Sequence, residues 1–188
     1  MPKIVDHDLY RAELLGKCLP IFVRKGVSSV SMRELSKELG VSTGTLYHYF
    51  PTKEALFGSM VKQLVAADAK EIAELSESQV GLSGILEFVS KRESHFINLI
   101  LLTIDVKREL PGAIDLMSQV EESFRAYQIA LDQFFPKMAG TGCGAALFSF
   151  LVGALFLKAN GTNNLTWEEL FGGLESVAEQ FFEKTKTS

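Results

Sequence analysis

The chain is predicted to be all-α, in about nine helices. Three observations carry that prediction. Apolar residues recur at alternating spacings of four and three, as in Ala113, Met117, Val120, Phe124, Tyr127, Leu131 and Phe134; this is the period of one helix face. Ser31 with Glu34 and Thr166 with Glu169 form capping boxes, in which hydroxyl and carboxylate each satisfy a backbone N–H left unpaired by an opening turn. Gly40, Pro51 and the pair Pro111-Gly112 punctuate the periodic segments where helices should stop.

The first helix is expected over residues 6–25, with Leu14, Cys18, Ile21 and Phe22 as its core stripe. Pro20 lies inside it, removes a backbone donor and crowds the carbonyl of Gly16, so a kink or break is expected near Gly16–Pro20. The second helix starts at the Ser31 cap, buries Met32, Leu35 and Leu39, and ends at Gly40, which suits a left-handed residue. Val41 plugs the turn. Ser42 caps a third, short helix that Pro51 ends. Thr52 caps a fourth from Lys53 to about Leu75, whose apolar face is Leu56, Phe57, Met60, Val61, Leu64 and Val65. At 1.5 Å per residue it would span ~34 Å.

Ser76 to Gly84 reads as a polar break, followed by Ile85 to about Glu109 in one bent helix or two. The seventh helix runs to about Phe135, and Pro136 to Gly142 is a loop. The eighth is expected over 142–158 and the ninth over 166–184. Met138 to Leu157 has no charge over 20 residues, enough for a bilayer by length alone. Its glycines and loop-like start leave about 16 helical residues, so a buried bundle helix is expected and no membrane contact.

The third helix is the most informative segment. Leu46 and Phe50 are its only core anchors, which leaves Thr43, Thr45, Tyr47, His48 and Tyr49 for solvent or a partner. Two short helices about a Gly-centred turn suit double-stranded DNA, the second entering the major groove. Thr43, Thr45 and His48 suit base edges, and Gly44 allows close backbone approach. Ser31, Arg33, Ser42, Tyr47 and Lys53 suit phosphate oxygens.

Residues from about Leu9 to Met60 resemble the N-terminal domain of the TetR family of transcriptional regulators. The resemblance rests on Gly26, on Ser31-Met-Arg-Glu-Leu-Ser-Lys-Glu-Leu-Gly-Val-Ser, on Gly44-Thr-Leu-Tyr-His-Tyr-Phe and on Lys53-Glu-Ala-Leu-Phe. It implies a helix-turn-helix DNA-binding domain over residues 1–52 and a helical effector-binding and dimerisation domain over 53–188. It implies a recognition surface of Thr43, Gly44, Thr45, Tyr47 and His48, with Ser31 and Lys53 on phosphates.

Charge agrees with that division. The whole chain carries −4. Residues 1–53 hold eight Lys/Arg against five Asp/Glu, net +3; residues 54–188 hold eleven against eighteen, net −7. A mildly basic head on an acidic body fits a DNA-facing end. Cys18 and Cys143 stand far apart without metal spacing, so both are expected to pack as small hydrophobes; neither a metal nor a cofactor is expected. The start of the chain reads as a mixed polar helix, without a secretory signal, and cytoplasmic residence is expected.

Polar residues set in apolar helix mark a candidate ligand pocket: Arg92, His95, Asn98, Thr103 and Tyr127, with Phe96 and Phe124 beside them. Few charges are available there, which favours a mainly hydrophobic ligand with one polar end. The last two helices carry more apolar surface than a small monomer needs, so a four-helix dimer interface is expected. Its candidate residues are Phe148, Leu151, Leu155, Trp167, Leu170, Leu174, Val177 and Phe181, with Gly144, Ala145 and Gly153 allowing close helix contact.

The leading expectation is a dimeric repressor, released from a pseudo-palindromic operator by a small apolar effector. A helical lipid- or small-molecule-binding protein without DNA binding is one alternative. An enzyme with an apolar cavity is another, although no nucleophile elbow, phosphate loop or metal cluster is found in the sequence.

Overall fold

The computed structural model describes residues 6–78, 81–110, 112–135, 142–161, 164–174 and 176, and every one of its regular elements is a helix. Eight are α1 (His7–Lys25), α2 (Met32–Leu39), α3 (Thr43–Tyr49), α4 (Lys53–Glu77), α5 (Gly81–Lys91), α6 (Glu93–Glu109), α7 (Ile114–Asp132) and α8 (Cys143–Ala159). A further helix, α9, is described over 167–174. None of the described helices is long and apolar enough to cross a membrane.

Side chains start the first four helices. The Asp6 carboxylate accepts from the backbone N–H groups of Asp8 and Leu9, both at 3.1 Å. Ser31 Oγ accepts from Glu34 N at 3.2 Å while Glu34 Oε2 accepts from Ser31 N at 2.9 Å, so the capping box is complete. Ser42 Oγ accepts from Thr45 N, and Thr52 Oγ1 from Ala55 N. Gly40 ends α2 at φ +70°, the left-handed conformation that a side chain would strain. Ser31→Ala should cost about 1 kcal/mol of stability, read as a lower urea midpoint at unchanged slope.

Two expectations are corrected here. α1 runs unbroken through Pro20. Pro20 and Gly16 both lie on its exposed side, so the carbonyl that loses its partner faces water. The break after α4 is also shorter than expected: α4 reaches Glu77 and α5 already starts at Gly81, which buries Gly84. The segment over 85–109 divides into two helices at Arg92.

One core runs through the whole molecule. At the N-terminal end, α1, α2 and α3 close on Leu15, Cys18, Phe22, Leu35, Leu46 and Phe50. Burial holds the Cys18 thiol protonated, its pKa pushed up to about 12. Leu56, Phe57, Met60 and Val61 of α4 are fully buried, with Phe57 edge-on to Phe22 at 5.6 Å. The same helix then packs along α7, and α7 along α8. Small residues set the closeness of these helices. A Cβ on Gly58 would lie 2.9 Å from Gln119 Oε1, and one on Gly144 would lie 2.3 Å from the Gln128 carbonyl oxygen.

Candidate nucleic-acid interface and interior cavity

α3 presents the expected face. Leu46 and Phe50 are buried; Ser42, Gly44, Tyr47 and His48 are exposed; Thr43 and Thr45 are half-buried. The hydroxyls are already ordered. Ser36 Oγ donates to the Arg33 carbonyl at 2.8 Å and lies 3.0 Å from Thr43 Oγ1. With its single proton spent on Arg33, Ser36 must accept from Thr43, so the Thr43 hydroxyl is left with acceptor capacity only. Thr45 Oγ1 lies 2.8 Å from Ser42 Oγ. Arg33 is exposed at the start of α2.

Lys53 is partly committed. Its Nζ donates to the Ser28 carbonyl at 3.0 Å, tying the α1–α2 connection to the start of α4. An ammonium has three donors, so two remain for phosphate. Tyr49 turns back onto α1: its ring lies 5.6 Å from Tyr10 and its hydroxyl 2.7 Å from His7 Nδ1. The His7 ring is thereby 6.2 Å from that of His48. Nothing local in the sequence marks His7 or Tyr10 as members of this face, because 41 residues of chain separate His7 from His48.

The body holds a partly open cavity of about 260 Å³ among α4, α5, α6, α7 and α8. Phe96, Thr103, Phe124 and Tyr127 line it; Arg92, His95 and Asn98 do not. Arg92 ion-pairs with Glu71 at 2.6 Å and stacks over the Phe88 ring. His95 is spent on Asp68: its Nε2 donates to Asp68 Oδ2 at 2.8 Å. Ile72 of α4, Ile100 and Ile104 of α6 and Val152 of α8 also line the space, with the exposed Ile104 at its rim. Among the described lining residues all but Thr103 and Tyr127 are aliphatic or phenyl, and the wall they form is almost wholly apolar.

Asp68 is the residue that sequence reading missed. It is a buried carboxylate on α4, 6% exposed, and Tyr127 OH of α7 donates to the same Oδ2 at 2.7 Å. One carboxylate therefore pins α4 to α6 and α7 beside the cavity. Its sequence signal is faint: a lone acid at position i+3 from Val65 on an otherwise apolar stripe.

The expected interface residues also move. Phe148, Leu151 and Leu155 face the cavity inside one chain, where Phe148 stacks on Tyr127 at 5.7 Å. Trp167 is buried, donating from Nε1 to Glu93 Oε2 at 2.8 Å. Leu170 and Leu174 are half-buried against the core. Val177 and Phe181 lie outside the described residues. Gly144 receives α7 of its own chain, whereas a Cβ on Gly153 would meet nothing within 4 Å. The outward apolar groups of α8 are instead Phe156 and Leu157, each 45% exposed. The physical reason is that α8 has apolar residues all round, so periodicity cannot say which side faces the core.

A short exposed helix on a Gly-centred turn, carried by an all-helical body, defines a helix-turn-helix DNA-binding regulator. Residues 19–60 match the family model for bacterial regulatory proteins of the tetR family. The chain is 32% identical over 183 residues to the HTH-type transcriptional regulator PksA of Bacillus subtilis, covering 95% of this chain and 81% of that one. Its fold is similar to that of reduced Escherichia coli NemR, with a TM-score of 0.71 at 20% identity over 90% of this chain and 97% of the other. It is also similar to Bacillus subtilis FadR in complex with stearoyl-CoA, with a TM-score of 0.67 at 18% identity over 88% and 96%. The chain belongs to the TetR family and is a DNA-binding transcriptional regulator.

Proposed function

We propose that this regulator is a homodimeric repressor released from its operator by a small, mainly apolar effector held in the body cavity. The head, residues 1–52, would place Thr43, Gly44, Thr45 and His48 in the major groove, with Ser31, Arg33, Ser42, Tyr47 and Lys53 toward phosphates. A second copy would set the other head ~34–36 Å away, one helical turn along a pseudo-palindromic operator. The outward apolar groups of α8, with the open surface at Gly153, support pairing through that helix. Operator binding places the working protein in the cytoplasm.

One observation carries the effector reading: Ile72 lines the cavity on the same helix, α4, whose first turn sits at the DNA head. An occupant touches that helix directly. Coupling then requires only that the occupant bind one position of α4 better than the other.

The test is selection of genomic fragments by the purified protein at ~50 and ~200 mM salt. Fragments sharing an inverted repeat support the reading; random DNA lost uniformly with salt overturns it. The cavity is tested separately. Val152→Trp should fill it and abolish the thermal stabilisation given by toluene. Toluene stabilisation that survives in the variant would place its site elsewhere.

A further inference from the structure

The polar side chains that could serve an occupant of the cavity are spent on the protein itself. Thr103 Oγ1 donates to the Leu99 carbonyl of its own helix at 2.8 Å. Tyr127 OH donates to Asp68 Oδ2 at 2.7 Å, and His95 Nε2 lies 2.8 Å from the same oxygen. Arg92 is held by Glu71. Among the described residues no buried side-chain nitrogen or oxygen lacks a partner, and the lining helices bond their own backbone groups internally. A site shaped for a polar ligand keeps a few convergent donors or acceptors for it. This wall is instead almost wholly apolar.

We infer that the cavity takes a neutral hydrocarbon body, an arene or a cyclic alkene, and discriminates against any molecule that must bury a nitrogen or oxygen there, donor and acceptor alike. This rests on the effector reading above and narrows it: recognition is by shape and apolar contact, with no hydrogen bond from the protein. A cavity of ~150 Å³ takes benzene, so about 260 Å³ suits roughly ten non-hydrogen atoms. Phe96, Phe124 and Phe148 gather about the Tyr127 ring, at 6.2, 6.1 and 5.7 Å between centroids, so part of the wall is aromatic surface that suits a flat ring. A nitrogen or oxygen carried inside leaves its water partners and finds no replacement, which costs its desolvation outright. A polar end on the occupant has to stand in water, at the open rim by Ile104.

The experiment titrates the full chain by calorimetry with naphthalene, quinoline and indole. The three are nearly equal in size and carry, in turn, no polar atom, an acceptor and a donor. Naphthalene should bind about a hundredfold or more tightly than either of the others. The ratios should follow transfer from water to cyclohexane, which forms no hydrogen bonds, and exceed those for transfer to octanol, which does. Thr103→Val and Tyr127→Phe each remove one oxygen from the lining residues and should leave the ratios where they are. Ratios nearer the octanol values overturn the inference alone. So does a ratio that rises in either variant, since the lost oxygen must then have met the occupant. Thr103→Val leaves the Asp68 network intact and decides that point even where Tyr127→Phe folds poorly. Failure of all three molecules to bind overturns the effector reading as well.

Discussion

His48→Ala is expected to relax base preference at one or two operator positions, at a cost of about 1–3 kcal/mol for the preferred sequence and almost nothing for others. His48 is exposed on α3, and its ring stands edge-on to Tyr49 at 5.0 Å. Tyr49 in turn rests on α1 through Tyr10 and His7. The imidazole is therefore aimed by packing, not only by helix register. Lys53→Ala should act differently: it should weaken every sequence alike and flatten the salt dependence, because a phosphate contact carries no base information. It should also lower stability by about 1 kcal/mol, through loss of the bond from Nζ to the Ser28 carbonyl. Binding measured against a panel of single-base operator variants separates the two. Equal losses from both substitutions on every sequence would remove the base-reading role of His48.

Gly144→Ala should produce the largest change in stability. The added Cβ would stand 2.3 Å from the Gln128 carbonyl oxygen, 2.5 Å from Asp132 N and 2.7 Å from Asp132 Oδ1. Two of those atoms are backbone and cannot rotate away, so α8 must lift from α7. The bond from Gly144 N to Asp132 Oδ1, 2.6 Å long, would be lost with the contact. Overpacking of this kind costs about 3 kcal/mol or more, which for a chain of this size lowers Tm by roughly 6–12 °C. Since α7 and α8 are two walls of the cavity, toluene stabilisation should fall as well. Gly16→Ala, mid-helix on the exposed side of α1, is the control. Its Cβ would meet nothing within 4 Å, and alanine favours a helix by up to ~1 kcal/mol over glycine. Denaturant midpoints should therefore move in opposite directions for the two glycines. A neutral Gly144→Ala would mean that α8 sits further from α7 than described.

Local chemistry was legible in the sequence. Ser31, Ser42 and Thr52 announce helix starts because a cap is settled within four residues, and Gly40 and Pro51 end helices for equally local reasons. The stripe on α7 was readable because its polar face is distinct. The exposed side of α3 was partly readable from what the helix lacks: with two core anchors, Tyr47 and His48 were left to face outward, whereas Tyr49 turns back onto α1. Pro20 shows the limit of local reading. Its effect depends on whether the deprived carbonyl is buried, and only the position of α1 on the core settles that.

What the sequence determined by itself is therefore the helical fold, the caps of its first helices and the exposed side of its short third helix, all governed by interactions within a turn or two of chain. Only the tertiary structure decided which sides of α8 and α9 are internal, that Gly144 serves a contact inside the chain, and that His95 belongs to Asp68 and not to the cavity. Asp68 and Tyr127 are 59 residues apart, as no periodic pattern reports. A buried carboxylate is tolerated only where donors from other helices converge on it, and that convergence exists only once α4, α6 and α7 have packed.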